Sequence, residues 1–199
     1  MVYSVGSLKK NLRKNLVWGG LVLAVLTLAL AGCADKPREV REFTRVAELA
    51  EELGEAPKYV ESFGSGFRFS LAGLGEKHLA LRYNNPETGE ELTLYIQKEP
   101  EGSQLPPTTL VRQAGDVLLT YYEVVYKYVP TNYEPTEADE AAVAEGRMQL
   151  AVGTEAVEKN VCASVIWQEG SLYYELTGLD LSLSGEEMLD MAAEIIESE

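Results

Sequence analysis

An alternation of apolar and polar residues with a period of two constrains the fold of this chain more than any other feature. It runs through residues 67–71, 79–83 and 92–96, and residues 84–90 between the last two segments contain the Asn, Pro and Gly typical of a turn. Successive side chains of a strand point to opposite faces, so this pattern predicts strands with one buried face. Because turns of this kind join neighbouring strands, the sequence predicts an antiparallel sheet.

Further strands are predicted at 108–113, 116–128, 148–152, 160–167 and 172–176, with a hairpin turn at 168–171. At 39–53 the apolar residues recur with the spacing of a helix, and Gly54 is the expected C-terminal cap of that helix. A short helix is predicted at 136–145. A longer one follows Ser184, since Ser184 and Glu187 have the spacing of a capping box. The expected fold class is α+β, an antiparallel sheet with an N-terminal and a C-terminal helix packed on it.

The N-terminal residues indicate export. Four basic residues lie between Lys9 and Lys14, an apolar run occupies 16–30, and Leu30-Ala31-Gly32-Cys33 follows. A basic segment, a short apolar run and small residues at a cleavage point are typical of a signal peptide. The four residues resemble the lipobox of bacterial lipoproteins. That resemblance implies a signal peptide at 1–32, a diacylglycerol on Cys33, an acylated tether at 33–38 and a single domain at 39–199. It also implies an extracytoplasmic location on the outer face of the cell membrane, held by acyl chains.

The charge of the chain restricts its partners. All 32 acidic residues follow Cys33, whereas four of the 17 basic residues precede it. The mature chain is therefore more acidic than the net charge of −15 for the whole sequence. Such a surface repels phosphate backbones, so we expect no nucleic-acid partner. The partners expected are the membrane, through the acyl chains, and an envelope protein or glycan.

The C-terminal segment resembles a known family. A tryptophan strand (Val165-Ile166-Trp167), a short turn, a tyrosine strand (Leu172-Tyr173-Tyr174) and a helix that begins Ser184-Gly185-Glu186-Glu187 follow one another. This order is similar to an extracytoplasmic domain widespread in Firmicutes, domain of unknown function 4367. The resemblance covers residues 160–197 and implies an envelope module, for instance a sensor, without an established enzyme activity.

Few residues of the sequence are candidates for a catalytic, metal-binding or ligand-binding role. Cys162 is expected to be a small buried residue of an apolar strand, because no activating base is evident beside it. The single histidine, His78, begins a predicted strand. No metal ligand set and no cofactor are predicted. Period two places Tyr122, Tyr126 and Tyr128 on one strand face and Tyr121 on the other. We treat these four tyrosines as the candidate binding residues, the alternative being that they pack against helices.

These observations predict a lipid-anchored, non-catalytic binding or sensing module of the cell envelope. Two alternatives stay open: an envelope hydrolase that uses carboxylates, and a carrier of an apolar ligand. Two convergent, desolvated carboxylates would favour the hydrolase, and a large dry cavity would favour the carrier. A flat or shallow aromatic face would favour the binding module.

Overall fold

The computed structural model describes residues 38–76, 78–98 and 106–198. The predicted signal peptide at 1–32 and the predicted acylation site Cys33 lie outside the described residues. All nine described strands belong to one sheet. They are β1 Arg38–Val40, β2 Arg68–Leu74, β3 His78–Asn84, β4 Glu91–Gln97, β5 Leu110–Ala114, β6 Val117–Val129, β7 Met148–Val152, β8 Glu158–Glu169 and β9 Leu172–Leu179.

The sheet is mostly antiparallel and open. The strand order is β1-β2-β3-β4-β9-β8-β6-β5, and β7 also pairs with β6. The pairing of β7 with β6 is parallel, while every other pairing named here is antiparallel. The first half of β6 pairs with β5 and its second half with β7. The thirteen residues of β6 therefore pair with three strands, namely β5, β7 and β8.

Three α-helices accompany the sheet: α1 Val46–Ala50, α2 Glu137–Ala144 and α3 Gly185–Glu197. A 3₁₀ turn precedes α1 at Phe43–Arg45 and another follows it at Glu51–Leu53. The N-terminal helical segment and α3 pack on the sheet, which confirms the predicted α+β fold class. Gly54 ends the first segment with a φ of 71°, the left-handed cap predicted for it.

Both longer helices begin with a capping box. The Ser184 hydroxyl accepts from the backbone N–H of Glu187, whose carboxylate accepts from the Ser184 backbone at 2.7 Å. Thr136 and Asp139 make the same reciprocal pair at α2. The apolar stripe of α3 is fully buried against the sheet, with Met188, Ala192 and Ile195 at 0% exposure. This helix is therefore part of the core, as its periodicity predicts.

Two expectations of the sequence reading are corrected. The helix predicted from residue 39 begins only at Phe43, because Arg38–Val40 is extended and pairs with the edge of β2.

The alternation also predicts Leu71 on the same face as Phe67 and Phe69. A register shift between Phe69 and Leu71 instead places Leu71 opposite Arg82. A bulge inserts one extra residue and reverses the faces beyond it. Ala72 therefore joins the core in place of Leu71.

Candidate binding surface on the open face of the sheet

The two faces of the sheet differ in what covers them. On β3 and β4, buried residues alternate with half-buried ones, and the buried set belongs to the same core cluster as the N-terminal helical segment and α3. We call the opposite side the open face. Register places on it the side chains of Arg82, Thr93, Tyr95, Cys162, Ser164, Glu175, Thr177, Tyr122, Tyr126 and Tyr128.

The predicted binding tyrosines divide between the two faces. Tyr122, Tyr126 and Tyr128 lie on the open face, and Tyr122 is the most buried of the three. Tyr121 lies on the helix side, where its exposure is 2%. A Cβ placed on Gly185 at the start of α3 would come within 2.7 Å of the Tyr121 ring. Tyr121 is therefore a packing residue under α3 and does not reach the open face.

A polar network occupies the centre of the open face. Oε1 of Glu175 accepts from the Tyr122 hydroxyl at 3.0 Å and from the Ser164 hydroxyl at 3.1 Å. The Ser164 hydroxyl also lies 2.8 Å from that of Thr177, which in turn contacts the Cys162 sulfur at 3.2 Å. Ser164 has 1% exposure. The network thus satisfies a buried hydroxyl and fixes the Glu175 carboxylate in one orientation.

The network changes the acidity of its members. Burial, followed by the charge of Glu175, raises the pKa of Tyr122 and of Tyr95. Burial also raises the pKa of Tyr126, with smaller contributions from Cys162 and Glu175. The pKa of the Cys162 thiol is raised by burial as well. These groups are therefore protonated at neutral pH, so the tyrosines and the Cys162 thiol add no charge to the network.

A shallow groove adjoins this network on the β1–β4 side of the open face. Its volume is about 220 Å³, and its wall is mostly apolar. The wall of the groove includes Leu71, Gly73 and Ala80. Tyr95 lies between the groove and Glu175, and Arg82 adds a positively charged guanidinium to the wall. The bulge in β2 creates part of this wall, because it turns Leu71 toward the open face.

The structure separates Cys162 from His78. Cys162 is in β8, His78 begins β3, and strands β9 and β4 lie between them in the sheet. The ring of His78 makes an edge contact with Tyr95, with ring centroids 5.7 Å apart. Cys162 faces the hydroxyl of Thr177 and not an apolar core. Its environment is therefore more polar than the sequence predicts.

Among the described acidic residues, Asp139 is the one whose whole side chain is buried, and it has a structural role. It forms an ion pair with Lys127 at 2.7 Å and accepts from the Tyr133 hydroxyl at 2.6 Å while capping α2. Among the described residues, no group of three His, Cys, Asp or Glu side chains is placed to hold a metal ion. None of the described helices has the length and apolar composition of a membrane span.

Sequence reasoning missed Glu175, Arg82 and the Ser164–Thr177 contact. Period two in β9 already groups Tyr173, Glu175 and Thr177 on one face. It does not reveal that Tyr122 and Ser164 lie beside Glu175, because that depends on the order of β6, β8 and β9 in the sheet.

Comparison of the chain with protein-family models, with curated proteins and with solved structures finds no match.

Proposed function

We propose that this protein is a lipid-anchored, extracytoplasmic module of the cell envelope that binds a partner on the open face of its sheet. The observation that carries the proposal is the contrast between the two faces. One face is filled by helices, while the other presents Tyr95, Tyr126 and Tyr128 around the Glu175 network. Aromatic rings with polar tips are frequent at recognition surfaces, since they supply contact area at a low cost in conformational entropy.

The geometry favours binding over the two alternatives. A carboxylate hydrolase needs two acids in a shared, desolvated site. In this fold Asp139 lies on the helix side and Glu175 on the open face. A carrier needs a cavity that surrounds most of its ligand, typically at least about 300 Å³. The groove described above is smaller and opens on the sheet surface.

The proposed location depends on acylation of Cys33, which follows the lipobox resemblance and the apolar run before it. Two acyl chains anchor a protein stably, whereas a single chain is released. Cells fed an alkyne fatty acid should label the wild-type chain and not Cys33→Ser. Equal labelling of the two proteins would contradict the anchor.

The binding role is tested with the purified full chain in lipid nanodiscs and washed cell-wall material. We expect retention of the wild type and loss of retention in the double variant Tyr126→Ala/Tyr128→Ala. Val152→Ala is the control, because this exposed valine pairs with Val129, which lies on the opposite face of β6 from Tyr126 and Tyr128. Equal retention of all three proteins would contradict the assignment of the open face. Turnover of a peptide, glycan or ester that Glu175→Gln abolishes without unfolding would replace binding by catalysis.

A further inference from the structure

We propose that the open face binds an aliphatic ammonium ligand, with the ammonium group on Glu175 and the aliphatic stem across Tyr95 in the groove. This inference rests on the proposed function and names the chemistry that the same surface recognises. Three features carry it: an oriented carboxylate, the aromatic residues beside it, and the adjoining apolar groove.

The first feature is the unequal use of the two Glu175 oxygens. Oε1 accepts from Tyr122 and Ser164, whereas Oε2 makes no hydrogen bond within the described part of the chain. In that part, the unpaired polar atoms shielded from solvent belong to Trp167 and Glu169. Oε2 of Glu175 is not one of them, so it is not completely shielded from solvent. A carboxylate that is held by two donors and exposes one oxygen is prepared to accept from a charged N–H group.

The second feature is the aromatic surroundings of this oxygen. Tyr95 lies directly opposite Glu175 in the β4–β9 register, and Tyr122 reaches the same carboxylate from β6. Aromatic rings attract cations through the negative charge of their faces. A positively charged ligand is also favoured by the acidic chain, whose net charge is −15, since this field raises the local concentration of cations.

The third feature is the position of the groove relative to the carboxylate. Ala80 lies opposite Tyr95 in the β3–β4 register, so Glu175, Tyr95 and Ala80 form one row across three strands. Two strand spacings separate Glu175 from Ala80, a distance of about 10 Å. A stem of several carbon atoms attached to the ammonium therefore reaches the apolar wall formed by Leu71 and Ala80.

Two opposite charges line the far part of the groove. Arg82 is one of them, and its guanidinium has no ion pair among the described residues. Glu39 is the other, and it lies opposite Gly73 in the β1–β2 register. The far end of the groove therefore carries both signs of charge, and the charge preference expected of the site lies at the Glu175 end.

The test uses the full chain in phosphatidylcholine nanodiscs and measures binding by equilibrium dialysis, with empty nanodiscs as the blank. The ligands have six carbons: hexylammonium, hexanol and hexanoate. We expect hexylammonium to bind more tightly than hexanol by about tenfold, the effect of one charged hydrogen bond. Preference for hexanoate over hexylammonium would overturn the proposal. Equal binding of hexanol and hexylammonium would overturn it as well.

Variants then identify the residues responsible. Glu175→Gln keeps an acceptor for Tyr122 and Ser164 but removes the charge, so hexylammonium affinity should fall about tenfold or more. Glu140→Gln, an exposed acid on α2, is the matched control and should bind as the wild type does. Unchanged affinity in a folded Glu175→Gln protein, checked by its thermal unfolding midpoint, would refute the site.

The outcomes separate this inference from the proposed function. In one combination of results, hexylammonium fails to bind while Tyr126→Ala/Tyr128→Ala still loses retention on the cell wall. That combination rejects the ammonium ligand and keeps the binding surface. Failure of both experiments rejects the open face itself. If Glu175→Gln does not fold, the preference among the three ligands on the wild type still decides the proposal.

Discussion

Replacement of Asp139 by Asn should destabilise the protein strongly, although the two side chains have nearly the same shape. Lys127 and Asp139 have side-chain exposures of 8% and 7% and are joined by a contact of 2.7 Å. The carboxylate also accepts from the Tyr133 hydroxyl at 2.6 Å and from the Thr136 hydroxyl at 2.9 Å. Asp139→Asn leaves the Lys127 ammonium buried without its counter-charge.

The magnitude follows from that burial. Removal of one partner of a buried ion pair typically costs about 3–5 kcal/mol, because the remaining charge has lost its water and its partner. An exposed pair contributes only about 0–1 kcal/mol. For a chain of this size, 1 kcal/mol moves the melting temperature by about 2–4 °C. We therefore expect Asp139→Asn to melt about 6–20 °C below the wild type.

Urea and thermal unfolding, followed by circular dichroism, measure the effect. Glu137→Gln is the matched control, since this exposed acid lies in the first turn of the same helix and contributes about 0.3–1 kcal/mol at most. The double variant Lys127→Met/Asp139→Asn should recover part of the loss, because no unpaired charge remains buried. A loss below about 1 kcal/mol in Asp139→Asn would refute the reasoning. So would a double variant that is no more stable than the single one.

Three further predictions concern the same fold. The hydrogen bonds from Lys127 and then Tyr133 hold the pKa of Asp139 far below its usual range. Its contribution to stability is therefore present above about pH 4 and declines as the pH falls toward the folded pKa. The gap in unfolding free energy between the wild type and Asp139→Asn should narrow below pH 4, and a constant gap would contradict this. Ile195→Ala, which truncates a side chain with 0% exposure in α3, should cost about 2–5 kcal/mol in urea unfolding. An unchanged midpoint would show that the helix is not docked. Cys162 should react with a thiol reagent far more slowly in buffer than in denaturant, because burial raises the pKa of its thiol. Equal rates would show an accessible thiol.

Local patterns in the sequence determined the fold class and most elements. The alternation at 79–83 and 92–96 requires one buried face, and the structure buries Leu79, Leu81, Leu92 and Leu94 completely. The capping box at Ser184 and the stripe that follows it define α3, because both signals depend on residues within a few positions of one another. The hairpin turn predicted at 168–171 joins β8 to β9, although the structure confines it to Gly170 and Ser171, because residues 168 and 169 still pair with β9.

The tertiary structure alone decided which side chains meet on the open face. The bulge after Phe69 turned Leu71 outward, and only the pairing of β2 with β3 shows it. Glu175, Ser164 and Tyr122 come from three strands whose order no local period encodes. Tyr121 and Tyr122 are neighbours in the chain, yet α3 buries the first while the second joins the Glu175 network. A strand period separates two faces, but it cannot say which of them a helix elsewhere in the chain will cover.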